Sequence, residues 1–266
     1  MTNREQVQDT CVLLDIDGTM SDTRAHMQAL NERLAEAFPV VGDALPRIRA
    51  QRHAFREQYG HLPHDEQDII WQHHYPDTSL HSQLDVYRSL APDVFTEEKT
   101  AEVYRWLSNP VNFGYAEYED VQPMIDGLRP MGVAKTLFTL GQRTTVDGMP
   151  GWQQLKIAAS PRLSQFYSHI ADSLPEGGKG EIINQSYDVH TDTFRFPMTD
   201  ELGSIATKGI VLVDDSEHNM QIAQPGLGIL VDRSGKHAAK EYPSNIHVVR
   251  SLVEVPDLVG AYMEQR

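Results

Sequence analysis

The chain has 266 residues, 40% of them apolar and 23% charged. That is enough for one large domain or a core with a smaller companion, and it excludes wholesale disorder. With 23 Lys and Arg against 38 Asp and Glu the formal charge is −15, which repels nucleic acid and anionic lipid and argues against both as main partners. The single cysteine, Cys11, permits no internal disulfide, the first ten residues lack a secretory signal, and no run approaches a membrane span. A cytoplasmic protein is expected.

The first apolar run, 11–16 (CVLLDI), has strand length. Residues 23–131 contain no convincing strand; amphipathic stretches at 25–38, 47–59, 65–75 and 96–107 repeat apolar residues every three or four positions, which is helical. Pro39, Pro63, Pro76 and Pro92 punctuate them. A last helix, 119–132, returns to a second strand at 133–140 (VAKTLFTL). Helical patterns at 151–160, 179–187 and 216–223 then alternate with strand-like runs at 169–174, 209–215 and 227–232. Residues 188–206 show no clean period and are read as a long loop or small excursion. An edge strand (246–250) and a closing helix (251–265) end the chain. Continuous Val, Ile and Leu runs alternating with helices predict a doubly wound, Rossmann-like α/β fold with a parallel sheet, interrupted after its first strand by a helical insertion.

Four stretches carry chemistry. Asp15-Ile16-Asp17-Gly18-Thr19 closes the first strand, where ligand sites of open α/β sheets lie. Two carboxylates two residues apart share a face, and Gly18 allows a sharp turn; a solvated Asx turn is the alternative. Asp214-Asp215-Ser216 again ends an apolar strand. Adjacent carboxylates there need cations or hydrogen bonds and suit a hard ion such as Mg²⁺, unless Asp215 or Ser216 simply caps the next helix. Thr139-Leu140-Gly141 at the end of the second core strand offers a hydroxyl and amides to a phosphoryl group, although Thr is also an ordinary strand residue. Lys179, in Gly-Gly-Lys-Gly before a helix, sits where an anion is welcome, and an ordinary surface turn is its alternative. His61-x-x-His64 and His73-His74 hint at zinc, but no cysteine accompanies them and solvated histidines are the default reading.

In this order the four stretches resemble the motifs of the haloacid dehalogenase superfamily. The resemblance implies a phosphatase that hydrolyses a small phosphomonoester with Mg²⁺. Asp15 would be the nucleophile forming an aspartyl-phosphate, and Asp17 the general acid and base. Gly18, Thr19, Thr139, Leu140, Gly141 and Lys179 would bind the phosphoryl group. Asp15, the main-chain carbonyl of Asp17 and Asp215 would hold the metal, with Asp214 behind them or as an alternate ligand. Lys156 rivals Lys179 for the lysine's role, and Met220 stands near the place where relatives carry a second acid. Asp17 favours phosphoryl transfer over carbon–halogen cleavage, because an oxygen leaving group profits from an acid and halide does not. The resemblance also implies a core of residues 1–22 and 118–266 and a helical cap of residues 23–117, with hinges at 20–23 and near 110–120. The small-molecule phosphorylated substrate would be the partner of a monomer or homodimer. A phosphomutase or phosphotransferase, and a non-catalytic phosphate-binding or signalling module, are the alternatives.

Overall fold

The computed structural model describes residues 8–62, 64–76, 78, 83–141, 150–171, 173–198 and 203–266. In chain order, β1 (Gln8–Leu14) precedes six helices: α1 (Thr23–Ala37), α2 (Pro39–Tyr59), α3 (His64–His74), α4 (Gln83–Leu90), α5 (Glu97–Leu107) and α6 (Pro110–Phe113). There follow α7 (Val121–Leu128), β2 (Ala134–Leu140), α8 (Trp152–Ala159), β3 (Tyr167–Ala171) and α9 (Gly178–Gln185). The remainder is β4 (Tyr187–Asp188), β5 (Thr193–Pro197), β6 (Ser204–Asp214), β7 (Leu227–Val231), β8 (Ile246–Val249) and α10 (Val255–Gln265). The chain divides into two compact units. One is 1–23 with 116–140 and 165–266; the other is 24–115 with 141–164.

The first unit is built on the sheet. β1 lies between β2 and β6, all parallel, with β3 beyond β2 and β7 then β8 beyond the second half of β6. Cys11, Val12, Leu13 and Leu14 are wholly buried, as are Ile210 to Val213 of β6. Helices therefore cover both faces of these strands, and each such side chain contributes about 1.5–3 kcal/mol of hydrophobic stabilisation. Cys11 behaves as a small hydrophobe, and burial pushes its thiol up to about 12.

The sheet differs from the sequence reading at its edge. Residues 187–197 form a hairpin, and β5 pairs antiparallel with the first half of β6. Phe194 and Phe196 point inward while Arg195 and Pro197 are exposed; Phe196 packs edge-on against Phe138 at 5.0 Å. The expected helix at 216–223 is one 3-10 turn, Glu217–Met220.

The second unit is helical. Its core gathers Leu30, Leu34, Val41, Leu45, Trp71, Tyr87, Phe95, Val103 and Phe113. α2 starts eight residues before the expected helix and runs through Pro46; Pro39 at its first turn needs no N–H bond and presets the helical φ. α4 was not foreseen. Leu155 of α8 joins this core, so residues 150–164, placed with the sheet by the sequence pattern, belong to the helical unit.

Candidate active site

Four segments meet at the carboxyl ends of β1 and β6, all in the first unit. Asp15 follows β1 directly; its N–H bonds the Val213 carbonyl at 2.9 Å, which ties the start of the loop to the end of β6. Asp15 is only 6% exposed, and its carboxylate accepts from Lys179 Nζ. Lys179 also donates to Asp214 Oδ2 at 2.7 Å and is itself 2% exposed. One ammonium is thus clamped between two carboxylates that lie 199 positions apart in sequence.

Asp214 is occupied on both oxygens. Ser216 N–H reaches Oδ1 at 2.8 Å, and Asn219 Nδ2 lies 3.0 Å from each oxygen. Asn219 turns its own oxygen to the Lys179 N–H at 3.1 Å, so it both anchors Asp214 and fixes the start of α9. Gly178 makes this approach possible. Its φ is +62°, and a Cβ there would stand 2.5 Å from Asn219 Oδ1. Asn219 escaped the sequence reading, which stopped at the acidic pair. An amide five residues beyond Asp214 was the available signal.

Asp215 is half-buried and close to Gly18. A Cβ on Gly18, whose φ is +76°, would fall 2.1 Å from Asp215 Oδ2. The loop after β1 and the end of β6 therefore touch through a position that only glycine fills. Carboxylate oxygens of Asp15, Asp214 and Asp215 all lie within 4.8 Å of one another. Asp17 accepts from the Thr23 hydroxyl at 2.8 Å.

The electrostatics record a shortage of positive charge. Burial lifts the Asp15 carboxyl well above the usual carboxylate range; Lys179 opposes this, and Asp214 and Asp17 add to it. Burial, then repulsion from Asp214, pushes Asp215 up to about 6. Burial works against the Lys179 ammonium, but Asp15 and Asp214 prevail and raise it above an ordinary lysine. Three clustered carboxylates and one lysine leave room for a cation, and an all-oxygen donor set suits a hard one such as Mg²⁺. Among the described residues this is the group of three acids or histidines that converges on one point. The side chain of His64, part of the suggested zinc pattern, lies outside the described residues.

Thr139 is buried near the end of β2, whose Leu137 pairs with Leu14 of β1. It thus stands at the same edge of the sheet as Asp15, though among the described residues no hydrogen bond joins it to the acids. Leu140 ends the same strand, and at Gly141 the chain passes into the second unit. Thr19 is wholly buried with its hydroxyl unpartnered. Lys156, the rival lysine, belongs to α8 of the helical unit.

A second set of residues, not foreseen, supports the loop. Arg233 donates to the Thr19 carbonyl at 2.9 Å and forks onto Asp120 at 2.8 and 2.9 Å, and its guanidinium carbon lies 3.7 Å from the Tyr118 ring centre. Asp120 also accepts from the Ser251 hydroxyl at 2.7 Å and the Leu252 N–H at 2.9 Å.

No family model matches the sequence, and no curated protein does. Solved structures do. A haloacid dehalogenase-like hydrolase from Burkholderia xenovorans LB400 superposes with a TM-score of 0.56 at 13% identity, over 96% of this chain and 99% of that one. A HAD phosphatase from Thermococcus onnurineus gives 0.46 at 17% identity over 94% and 98%. A 2-haloacid dehalogenase from Pseudomonas syringae pv. tomato DC3000 gives 0.49 at 13% identity over 97% and 100%. The chain has the α/β fold of a haloacid dehalogenase-like hydrolase.

Proposed function

We propose that the chain belongs to the haloacid dehalogenase superfamily and hydrolyses a small phosphomonoester with Mg²⁺, through an aspartyl-phosphate on Asp15. The observation that carries this reading is the clamp of Lys179 between Asp15 and Asp214 beside the half-buried Asp215. It holds a carboxylate in a cation-seeking cleft at the end of the first strand, with a second acid, Asp17, two residues on.

A divalent ion bound there would neutralise charge on the phosphoryl oxygens and on the carboxylates around it. Asp15, Asp215 and the main-chain carbonyl of Asp17 are the groups left to hold it, since Asp214 is spent on Lys179, Ser216 and Asn219. Asp15 attacks phosphorus through one carboxylate oxygen, and the bond to the ester oxygen breaks. Asp17, in its protonated form, gives its proton to that oxygen, so the product leaves as an alcohol. The resulting carboxylate of Asp17 then takes a proton from water, which attacks the phosphorus of the aspartyl-phosphate. Inorganic phosphate leaves and Asp15 is restored. Thr23 orients Asp17 through its hydroxyl. Lys179 keeps Asp15 pointed into the cleft and offsets the incoming charge. Gly18, Thr19, Thr139, Leu140 and Gly141 supply the groups for the phosphoryl oxygens.

The reading is tested on a panel of phosphomonoesters, with 2-haloacids as the rival substrates, in buffers with and without Mg²⁺. Phosphate release that needs Mg²⁺, vanishes in Asp15→Asn and falls by orders of magnitude in Asp17→Asn is the expected result. Halide release from a 2-haloacid without phosphate release, or unchanged phosphate release in Asp15→Asn, would overturn it.

A further inference from the structure

The helical unit contains a guanidinium that pairs with no carboxylate among the described residues. Arg52 lies in the second half of α2, a helix with four arginines against two acids in a chain of strongly negative charge. Its Nη1 donates to the side-chain oxygen of Gln83 at 2.6 Å, while its Nε is buried without an acceptor. Among the described residues no carboxylate comes within ion-pairing distance of it. Two acids of the helical unit face other arginines: Asp93 accepts from Arg47 at 2.6 Å, and Asp85 stands 3.7 Å from Arg88.

The surroundings add cations and neutral donors rather than relief. Burial, followed by the charge of Arg56 four residues on, pushes the Arg52 guanidinium down to about 10. Arg49, three residues before, shares that face of the helix. Arg52 and Arg49 both act on the Tyr87 hydroxyl, which donates to Asn31 at 2.8 Å. A partly buried cation with an orphaned N–H is costly to keep in a folded protein unless something pairs with it. Surface arginines avoid this cost by turning to water. Arg52 instead holds its Nε inside, where a planar, forked donor is fitted to a carboxylate or phosphate group.

We infer that Arg52, with Arg49 and Gln83, forms an oxyanion-binding site within the helical unit, which takes a carboxylate or phosphate group. It is independent of the chemistry proposed for the sheet unit and stands on side chains of α2 and α4 alone. The ligand is either a free inorganic or organic anion, or an anionic group of a larger molecule.

The test follows the Nε–H resonance of Arg52 by ¹H–¹⁵N spectroscopy of the whole chain in EDTA, with the signal assigned by its loss in Arg52→Lys. Sodium phosphate and sodium succinate are titrated in parallel with sodium chloride at matched ionic strength. The resonance is expected to shift saturably with phosphate and succinate and to stay still with chloride. Calorimetric affinity for both anions is expected to weaken at least tenfold in Arg52→Gln. Arg49→Gln, an exposed position that leaves packing intact, is expected to weaken it severalfold. A flat titration, a shift that chloride reproduces, or undiminished binding in a folded Arg52→Gln or Arg49→Gln protein would overturn the proposal. A response to phosphate without one to succinate would overturn it too, because the site as drawn reads charge and planar oxygen geometry rather than phosphorus.

Discussion

Replacing Lys179 by methionine isolates the contribution of one buried charge. The stem volume is nearly kept, so packing changes little, while Asp15 and Asp214 lose their shared cation. Their side chains are 9% and 1% exposed, and that of Lys179 is 2% exposed. At an effective dielectric constant near 20, the 2.7 Å contact with Asp214 is worth about 6 kcal/mol of gross attraction. Desolvation of the ammonium, now avoided, offsets part of that. Removing one member of a buried pair then costs about 3–5 kcal/mol net. For a unit of this size each kcal/mol moves Tm by about 2–4 °C, so Lys179→Met should melt about 6–20 °C lower. The assay is calorimetry or far-ultraviolet circular dichroism in EDTA, so that no divalent ion replaces the missing charge. Tryptophan fluorescence is the wrong probe, since Trp71, Trp106 and Trp152 all belong to the helical unit. Adding Asp214→Asn to Lys179→Met should recover part of the loss, because it removes one of the two stranded carboxylates. A loss below about 1 kcal/mol in Lys179→Met would refute the reasoning, for it would mean that these carboxylates are not confined with the lysine away from water.

The remaining predictions concern neighbours of that clamp. Asp215→Asn should raise stability in EDTA by about 1–2 kcal/mol, because it deletes a carboxylate held out of its ordinary range by burial and by Asp214; it should also abolish Mg²⁺-dependent phosphate release, and a fall in Tm would contradict the first half. Asp120→Asn should destabilise the sheet unit by about 2–3 kcal/mol at pH 7, since it weakens a fork to Arg233 and two further hydrogen bonds. Burial opposes the Asp120 charge, but Arg233, the Leu252 N–H and Ser251 together hold its carboxyl below the usual range. A depressed carboxyl stabilises the fold above its unfolded pKa and loses that contribution as pH falls through its folded pKa. Urea titrations should therefore show the wild-type advantage shrinking below about pH 4, and an advantage independent of pH would exclude the ion pair as its source.

The parts of the fold that could be read from the sequence were those whose side chains face one environment. β1, β6 and β7 are buried on both faces, so their Val, Ile and Leu runs are unmistakable, and each acidic motif ends such a run. β5 was hidden because its alternation is short and wears an arginine and a proline on the outer face, a pattern easily taken for a loop. The turn at Glu217–Met220 was expected as a helix over 216–223 from its residue pattern. Its asparagine is instead drawn inward by Asp214 and by the Lys179 N–H, contacts that span 5 and 40 positions. α2 was read from residue 47 only, whereas the helix starts at Pro39 and continues through Pro46. The clamp around Arg233 joins residues 19, 118, 120, 233 and 251. Each is unremarkable alone, and no local spacing links them, so only the folded chain brings them together.

The charge balance of the cleft also bears on how a phosphate could reach it. The chain is negative as a whole, and the site sets Asp15, Asp214 and Asp215 against Lys179, the one cation that pairs with them among the described residues. A phosphate dianion approaching this arrangement meets repulsion from both the long-range field and the nearest side chains. Asp215 adds no stability as a bare carboxylate, since burial and then repulsion from Asp214 push it up to about 6. Residues kept against stability are expected where function requires them. The arrangement is coherent if a divalent cation precedes the phosphate or arrives with it, and incoherent otherwise. Inorganic phosphate should therefore bind the sheet unit in the presence of Mg²⁺ and fail to do so in EDTA, as read by calorimetry in the Arg52→Gln background, where any anion site of the helical unit is removed. Equal affinity in the two buffers would show that Lys179 alone suffices to hold the phosphate, and that the cluster of carboxylates has some other purpose.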